Sequence, residues 1–302
     1  MRPLPDVSIR QLEYLVAVAE AATWAAAAER VGVSPSALSQ GLAELERRVG
    51  VELFERDGRR RLVRDNAAPV VAHARQVLGL TSDLANWADR MRTGRTGTLR
   101  LGMIDAAALV HCPDQLRGFR QAHPEVNLLL RVSPSAQLLE LLVAGELDLV
   151  VCVEPPAAIA GIETSPLLTE DLAVYGPPGQ PVGPPESWGP WVLFPSGSHT
   201  RDVVVAGLHR LGARLEVVAE SHQPDVLREM VQLGTGWTVL PTSQAEHGDR
   251  PLSDGRVLTT RRLVLATRAG SVADPAVGQL SAALHEAGAG AAPRRSRSRR
   301  SR

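Results

Sequence analysis

Residues 34–50 read SPSALSQGLAELERRVG, a stretch that forms one helix with two opposed faces. At about 100° per residue, Leu38, Leu42, Leu45 and Val49 fall on one line, and Ser36, Gln40, Ala43 and Arg47 fall on the far side. The first line is a core stripe. Ser34 is a good N-cap and Pro35 occupies the first helical position, where its missing N–H costs nothing. A solvated face ordinarily mixes Glu with Lys. This one is small, neutral and hydrogen-bonding toward its N-terminus, with an arginine further along, which suits a surface that approaches another polar molecule closely.

Two helices precede it. Ser8 and Gln11 form a capping box ahead of Leu12, Leu15, Val16 and Ala19, predicting a helix from Ile9 to Ala21. Thr23 caps a short second helix, WAAAAERV, that turns Trp24, Ala27, Ala28 and Val31 inward and stops at Gly32. Its alanines let helices cross closely. Helix, glycine turn, helix is the layout of a helix-turn-helix whose second helix enters the major groove. After Gly50 the period changes to that of strands. VELFE, the pair Asp57-Gly58 and RRLVR read as a hairpin with an Asp-Gly turn, its tip carrying Arg56, Arg59, Arg60 and Arg61. A basic hairpin there makes a winged helix, with guanidiniums suited to phosphates or the minor groove. Residues 1–66 hold ten arginines and ten acids, so the argument rests on clustering at the wing.

From Asn66 to about Arg92 one long helix follows. Val70, Ala74, Val77, Thr81, Leu84, Ala88 and Met91 form a seam repeating every seven residues. Such a narrow stripe calls for a partner, a second copy being the simplest and intramolecular packing the alternative. Gly and Thr in TGRTGT (93–98) mark a linker. Beyond it strand and helix alternate: LRLGMI, PDQLRGFRQAH, VNLLLRV, SAQLLELLVAG ending at Gly145, and LDLVVCV. After the Pro-rich GPPGQPVGPPESWGP come WVLF, a helix over Arg201–Leu211, RLEVVAE, PDVLREMVQLG and GWTVLP, then RRLVLATR and DPAVGQLSAALHEAG. Apolar strands separated by amphipathic helices predict parallel sheet covered on both faces, here as two α/β lobes around a cleft. Ligands of such sheets sit at strand carboxyl ends near helix N-termini. Those places are Ile104-Asp105, Ser133-Pro134-Ser135, Ser196-Gly197-Ser198-His199-Thr200 and Ser221-His222. Any one of these hydroxyls reads first as a helix cap and only second as a ligand contact; their convergence is what would make a site.

The 302 residues, 44% hydrophobic, suffice for two or more domains. No stretch approaches a membrane-spanning length and MRPLPDVSIRQ lacks an apolar signal core, so a soluble cytoplasmic protein is expected. Cys112 and Cys152 give no disulfide framework; buried free thiols are their expected state, with a redox-sensing thiol as the alternative. Every basic residue is arginine. PRRSRSRRSR at the end holds six of them, leaving 27 basic against 33 acidic residues elsewhere. Such a segment cannot pack a core; sequence-independent attraction to nucleic acid and a dispensable solubilising extension are both open.

The run from Arg10 to Arg64, centred on TWAAAAERVGVSPSALSQGLAELERRVGVELFER, closely resembles the DNA-binding domain of LysR-type transcriptional regulators, and the resemblance extends over nearly the whole chain apart from the arginine tail. It implies an α/β protein with an N-terminal winged helix-turn-helix (1–65), a dimerisation helix (66–93) and a two-lobed effector-binding domain like the periplasmic binding proteins (94–290), followed by a disordered tail (291–302). Lobe I would take about 97–165 and 263–288, lobe II about 166–262. The implied partners are a double-stranded DNA operator, a small-molecule effector, a second or further copies forming a dimer or tetramer, and RNA polymerase; no cofactor is implied. Ser34, Pro35, Ser36, Ser39, Gln40 and Arg47 on the helix, with Arg56, Arg59 and Arg60 at the wing, become the DNA contacts, since Gln bonds adenine edges and Ser either bases or phosphates. The effector contacts become Ile104, Asp105, Ser133, Ser135, Ser196, Ser198, His199, Thr200 and Ser221.

Two departures stand out. Where the family continues after the wing with Leu-Thr, this chain has Leu62-Val63-Arg64-Asp65-Asn66, so capping of the long helix passes to Asp65 or Asn66. Where the first effector-domain strand ends, the family commonly places Ser or Thr to hold a carboxylate; here Ile104-Asp105 repels one, which points to a neutral or cationic effector, or to none and an effector-independent repressor. A solute-binding protein would carry a signal peptide and no winged helix. An enzyme lacks support, because PSGSH has no Gly-x-Ser-x-Gly elbow and neither HExxH nor paired CxxC occurs.

Overall fold

The computed structural model describes residues 5–57, 60–93, 97–246, 251–272 and 274–290. The chain divides into two compact units, the first built on the segment up to Thr93 and the second on most of the rest.

In the first unit, α1 (Ile9–Glu20), α2 (Trp24–Arg30) and α3 (Pro35–Val49) precede the hairpin β1 (Phe54–Asp57) and β2 (Arg60–Val63), and α4 (Ala68–Thr93) follows. Their ends obey local chemistry. Ser8 and Gln11 make both bonds of the capping box, Thr23 caps α2 through the Ala26 N–H, and Ser34 caps α3 through the Ala37 N–H. Gly50 closes α3 at φ 75°, a backbone state glycine adopts without strain. Leu15, Leu38, Leu45, Leu53 and Ala27 are fully buried where α1, α2 and α3 meet. At the α1–α3 crossing a Cβ on Gly41 would lie 2.7 Å from the Tyr14 ring, so any larger residue forces the ring or the helices to shift.

The hairpin's last described pair is Asp57↔Arg60, and the Asp-Gly turn expected at its tip includes Gly58, which lies outside the described residues. Two expectations for this unit change. The long helix opens through a 3-10 turn (Asp65–Ala67) without a side-chain cap, the Arg64 carbonyl accepting from the Ala67 N–H; neither Asp65 nor Asn66 replaces the missing threonine. The seam of α4 divides. Ala67, Val71 and Ala74 are buried in the core shared with α1, flanked by Val70 and Val77, because that core needs a fourth wall. Leu80, Leu84 and Trp87 are exposed.

The second unit contains β3 (Thr98–Met103), α5 (Pro113–Ala122), β4 (Asn127–Val132), α6 (Ser135–Val143), β5 (Leu149–Val153), β6 (Ile162–Tyr175), β7 (Trp191–Leu193), α7 (His199–Arg210), β8 (Val217–Glu220), α8 (Pro224–Gln232), β9 (Thr238–Pro241), α9 (Thr242–Ala245), β10 (Arg256–Arg268) and α10 (Pro275–Gly290). Two lobes are present, one core around β3, β5, α5, α6 and α10, others around β7, β9, α7 and α8. The sheet is not purely parallel. One six-stranded sheet in the order β4-β3-β5-β10-β6-β9 runs through both lobes, with β10 antiparallel to β5 and β6; β7 and β8 pair in parallel. The strand expected at 261–268 forms the latter part of β10, where Leu263 and Leu265 join the first-lobe core with Leu280 and Leu284 of α10; β10 begins earlier, at Arg256, and pairs with β6 in a long ribbon whose two strands feed both cores. Strand β4, expected to be covered on both faces, is an edge with Leu129, Leu130 and Val132 half exposed.

Candidate nucleic-acid interface and ligand cleft

Helix α3 presents the two faces its period demands. Leu38, Leu42 and Leu45 are buried, whereas Ser36, Gln40, Ala43 and Arg47 are exposed along the opposite line. Ser34 Oγ accepts from the Ala37 N–H at 3.2 Å and lies 2.9 Å from Ser36 Oγ, so its cap duty leaves the pair as one hydroxyl cluster at the helix start. Pro35 is exposed beside them, and Ser39 is half-buried. Arg47 bonds Glu44, as does Arg48. At the other end of the helix, Glu46 Oε1 accepts from the N–H groups of Leu53 (2.8 Å) and Phe54 (3.2 Å), fastening the first wing strand to α3. Arg56 and Arg60 sit in β1 and β2, which fixes their place on the wing. Arg59 and the arginine tail at 291–302 lie outside the described residues, as do the Arg56 and Arg60 side chains.

In the second unit a cavity of about 330 Å³ opens between the lobes. One wall is Ile104, Asp105, Val132, Ser133, Pro134, Ser135 and Val153; facing it are Phe194, Ser198, Thr200, His222 and Gln223, with Arg261 from the ribbon. Three helices begin at this cavity, α6 at Ser135, α7 at His199 and α8 at Pro224. Neither Ser198 nor Gln223, at the cap positions of α7 and α8, makes a side-chain cap bond. Those first-turn N–H groups and the positive helix ends therefore remain available to an anion. Arg201, buried near the start of α7, donates to Phe194 O at 2.6 Å and Glu220 at 3.2 Å, fixing that helix to β7 and β8.

Of the sequence-derived ligand positions, Ile104, Asp105, Ser133, Ser135, Ser198 and Thr200 reach the cavity wall. Ser196, His199 and Ser221 are not among the lining residues. The His199 ring turns to Val153 O (3.3 Å), and Ser221 Oγ accepts from the Gln223 N–H (3.1 Å), the local turn bond that serine makes readily. Sequence reasoning missed Arg261 and Phe194. Arg261 stands in RRLVLATR, where an arginine in a strand gives no local sign of pointing inward.

Asp105 is the acid on the wall. Its Oδ1 accepts from the Ala106 N–H (2.9 Å) and its Oδ2 from the Gln244 amide of α9 (3.2 Å), two neutral donors. It has no ion pair among the described residues, and burial pushes its carboxyl above the ordinary value. Behind the opposite wall lies a closed network. Glu170 of β6 accepts from Arg261 Nε (2.7 Å) and Ser243 Oγ (2.9 Å) and lies 2.9 Å from His111 Nε2, while Arg261 Nη1 donates to Thr200 Oγ1 (2.6 Å). Burial alone would raise the Glu170 carboxyl, but the Arg261 charge and the His111 bond outweigh it and hold the group down at about 2. Arg261 Nη2 is ion-paired with Glu170 yet makes no hydrogen bond, and Gln244 Oε1 is likewise buried without one. Cys112 and Cys152 are fully buried in the first lobe, burial pushing their thiols up to about 11 and about 12.

No described helix is long and apolar enough to cross a membrane, and no described cluster of His, Cys, Asp and Glu is arranged to hold a metal. Residues 9–66 match the family model described as bacterial regulatory helix-turn-helix protein, lysR family, and residues 92–289 match that of the LysR substrate binding domain. A probable hydrogen peroxide-inducible genes activator of Streptomyces viridosporus is 30% identical over 296 residues, 93% of this chain and 94% of its own. The HTH-type transcriptional regulator DgdR of Burkholderia cepacia is 32% identical over 252 residues, 83% of each. Among solved structures, full-length CbnR complexed with its target DNA superposes with a TM-score of 0.59 at 22% identity, covering 93% of this chain and 99% of that one, a likeness of fold.

Proposed function

We propose, from the premise that this chain belongs to the LysR family of transcriptional regulators, that it reads an operator with the exposed face of α3 and couples that binding to a small effector held between its lobes. The observation that carries the reading is the straight line of Ser36, Gln40, Ala43 and Arg47, open to solvent on a helix whose opposite line is buried. Small residues let the helix approach the base edges, Gln40 offers a bidentate amide to adenine, and Ser36 and Ser34 offer hydroxyls. Arg47 and the wing residues Arg56, Arg59 and Arg60 supply phosphate or minor-groove contacts, with the salt dependence that such contacts bring. Glu46 keeps the wing in register with α3.

The partner is double-stranded DNA, and the protein therefore works in the cytoplasm. Leu80, Leu84 and Trp87 of α4 provide an apolar line for a second copy, which supports a dimer or a tetramer built from it. The effector contacts are Ile104, Asp105, Ser133, Ser135, Ser198 and Thr200, joined by Arg261 and Phe194. The peroxide response named for the Streptomyces relative is not carried over to these thiols. At neutral pH a thiol held at about 11 or 12 exposes almost no thiolate, the form that peroxide oxidises.

The test is genome-wide recovery of DNA bound by the intact protein and by Gln40→Ala. A compact set of sites with two-fold symmetry is expected. The variant should bind them roughly 10- to 100-fold more weakly, the cost of about 1–3 kcal/mol for one bidentate base contact. Unchanged sequence-specific binding by the variant would refute the reading.

A further inference from the structure

We propose that the effector is a small zwitterion, a free amino acid with an uncharged side chain, whose ammonium is held by Asp105 and whose carboxylate is held at the starts of α6 and α7 beside Arg261. This rests on the cleft reading above and names its ligand class.

The two poles share one small cavity. Asp105 is the negative pole, with only neutral hydrogen-bond donors among the described residues. A desolvated carboxylate held by amides alone is a site for a cation with N–H donors, which an ammonium supplies. The positive pole is formed by the N-termini at Ser135 and His199, by the Ser198 and Thr200 side chains on the wall, and by the Arg261 guanidinium. Arg261 is 4% exposed; its Nη2 is ion-paired with Glu170 at 2.7 Å but makes no hydrogen bond, so it keeps a donor at the wall that a carboxylate oxygen would satisfy. Ser135 Oγ already accepts from the Val153 N–H at 3.2 Å, so its own proton is free to donate. The remaining wall is the apolar Ile104, Val132, Pro134, Val153 and Phe194 with Ser133, His222 and Gln223, and it carries no carboxylate or guanidinium beyond Asp105 and Arg261, which suits a side chain without charge. A simple carboxylate would leave Asp105 unmatched and close to like charge; a simple amine would leave the uncapped start of α7 and the Nη2 donor of Arg261 without an acceptor, the Arg261 charge itself being met by Glu170. At about 330 Å³ the cavity lies at the small end of ligand pockets, as a free amino acid requires.

The contact between Asp105 and Gln244 also joins the two lobes, because Asp105 follows β3 and Gln244 lies in α9. An ammonium that takes over Asp105 therefore competes with an interlobe bond, which gives binding a route to lobe arrangement.

The experiment is calorimetric titration of the full-length protein with neutral L-amino acids. Each is paired with the amine lacking its carboxylate and the acid lacking its ammonium, for L-valine isobutylamine and 3-methylbutanoate. At least one amino acid is expected to bind, with both of its halves at least tenfold weaker. Asp105→Asn should weaken the amino acid at least tenfold without unfolding the protein. Asn keeps the Oδ1 acceptor for Ala106, and Gln244 can turn its amide so that the unpartnered Oε1 accepts from the new Nδ2. Acid or amine binding as tightly as the amino acid, an indifferent Asp105→Asn, or no binding at millimolar concentration would each overturn the proposal. The underlying cleft reading fails separately. Ser198→Trp, which fills the cavity, would then leave regulation of the target promoter unchanged.

Discussion

Replacing Glu170 with Gln tests whether the ribbon network holds the second unit together. Glu170 is 5% and Arg261 3% exposed in their side chains, so the substitution leaves a guanidinium buried opposite a neutral amide. The carboxyl is held at about 2 against an ordinary 4.5, which at 1.36 kcal/mol per unit corresponds to about 3 kcal/mol of stabilisation. Breaking one side of a buried ion pair costs about 3–5 kcal/mol by an independent route, so the two agree on scale. Against a total stability of about 5–15 kcal/mol the variant should remain folded but be substantially weakened. Urea unfolding followed by tryptophan fluorescence reads this directly, because Trp188, Trp191 and Trp237 all sit in the second-lobe core. The pH dependence fixes the cause. A carboxylate with a depressed folded value contributes its stability above the unfolded value and loses it as pH falls through the folded one. The gap between the natural chain and Glu170→Gln should therefore be full at pH 7 and close between about pH 4.5 and about pH 2. A gap under about 1 kcal/mol at pH 7, or one that does not narrow in acid, would refute the assignment.

Two further substitutions test the first unit. Gly41→Ala gains about 1 kcal/mol of helix propensity but drives a Cβ to 2.7 Å from the Tyr14 ring, an overpacking cost of about 1–3 kcal/mol; a net loss of thermal stability is expected, and a stabilised variant would show that the α1–α3 crossing is looser than drawn. Leu84→Glu puts a charge on the exposed apolar line of α4 and should halve the sedimenting mass if that line joins two copies, whereas an unchanged mass would place the subunit contact elsewhere.

The winged unit was legible because its information is local. Capping side chains lie three residues from the N–H groups they serve, the leucines of α3 repeat with the helical period, and Gly32 and Gly50 stand where the backbone turns left-handed. Most strands and helices of the second unit were legible for the same reason. What the residues could not announce was the β6–β10 ribbon. Strand β6 carries Pro166, Glu170 and Asp171 in a pattern that is neither alternating nor continuously apolar, and Arg261 meets Glu170 only through pairing across ninety-one positions of chain. The division of α4 between an internal core and an open line was also hidden, since it depends on what another segment leaves uncovered.

The sequence by itself determined the reading helix, its polar face, the order of elements and the acid at Asp105, because propensity, capping and period act over a few residues. Tertiary structure alone decided that Asp105 faces helix starts and Arg261 across one cavity, and that Ser196, His199 and Ser221 do not line it. Those facts follow from long-range strand pairing and burial, which place residues far apart in the chain against one another and leave no mark on either neighbourhood.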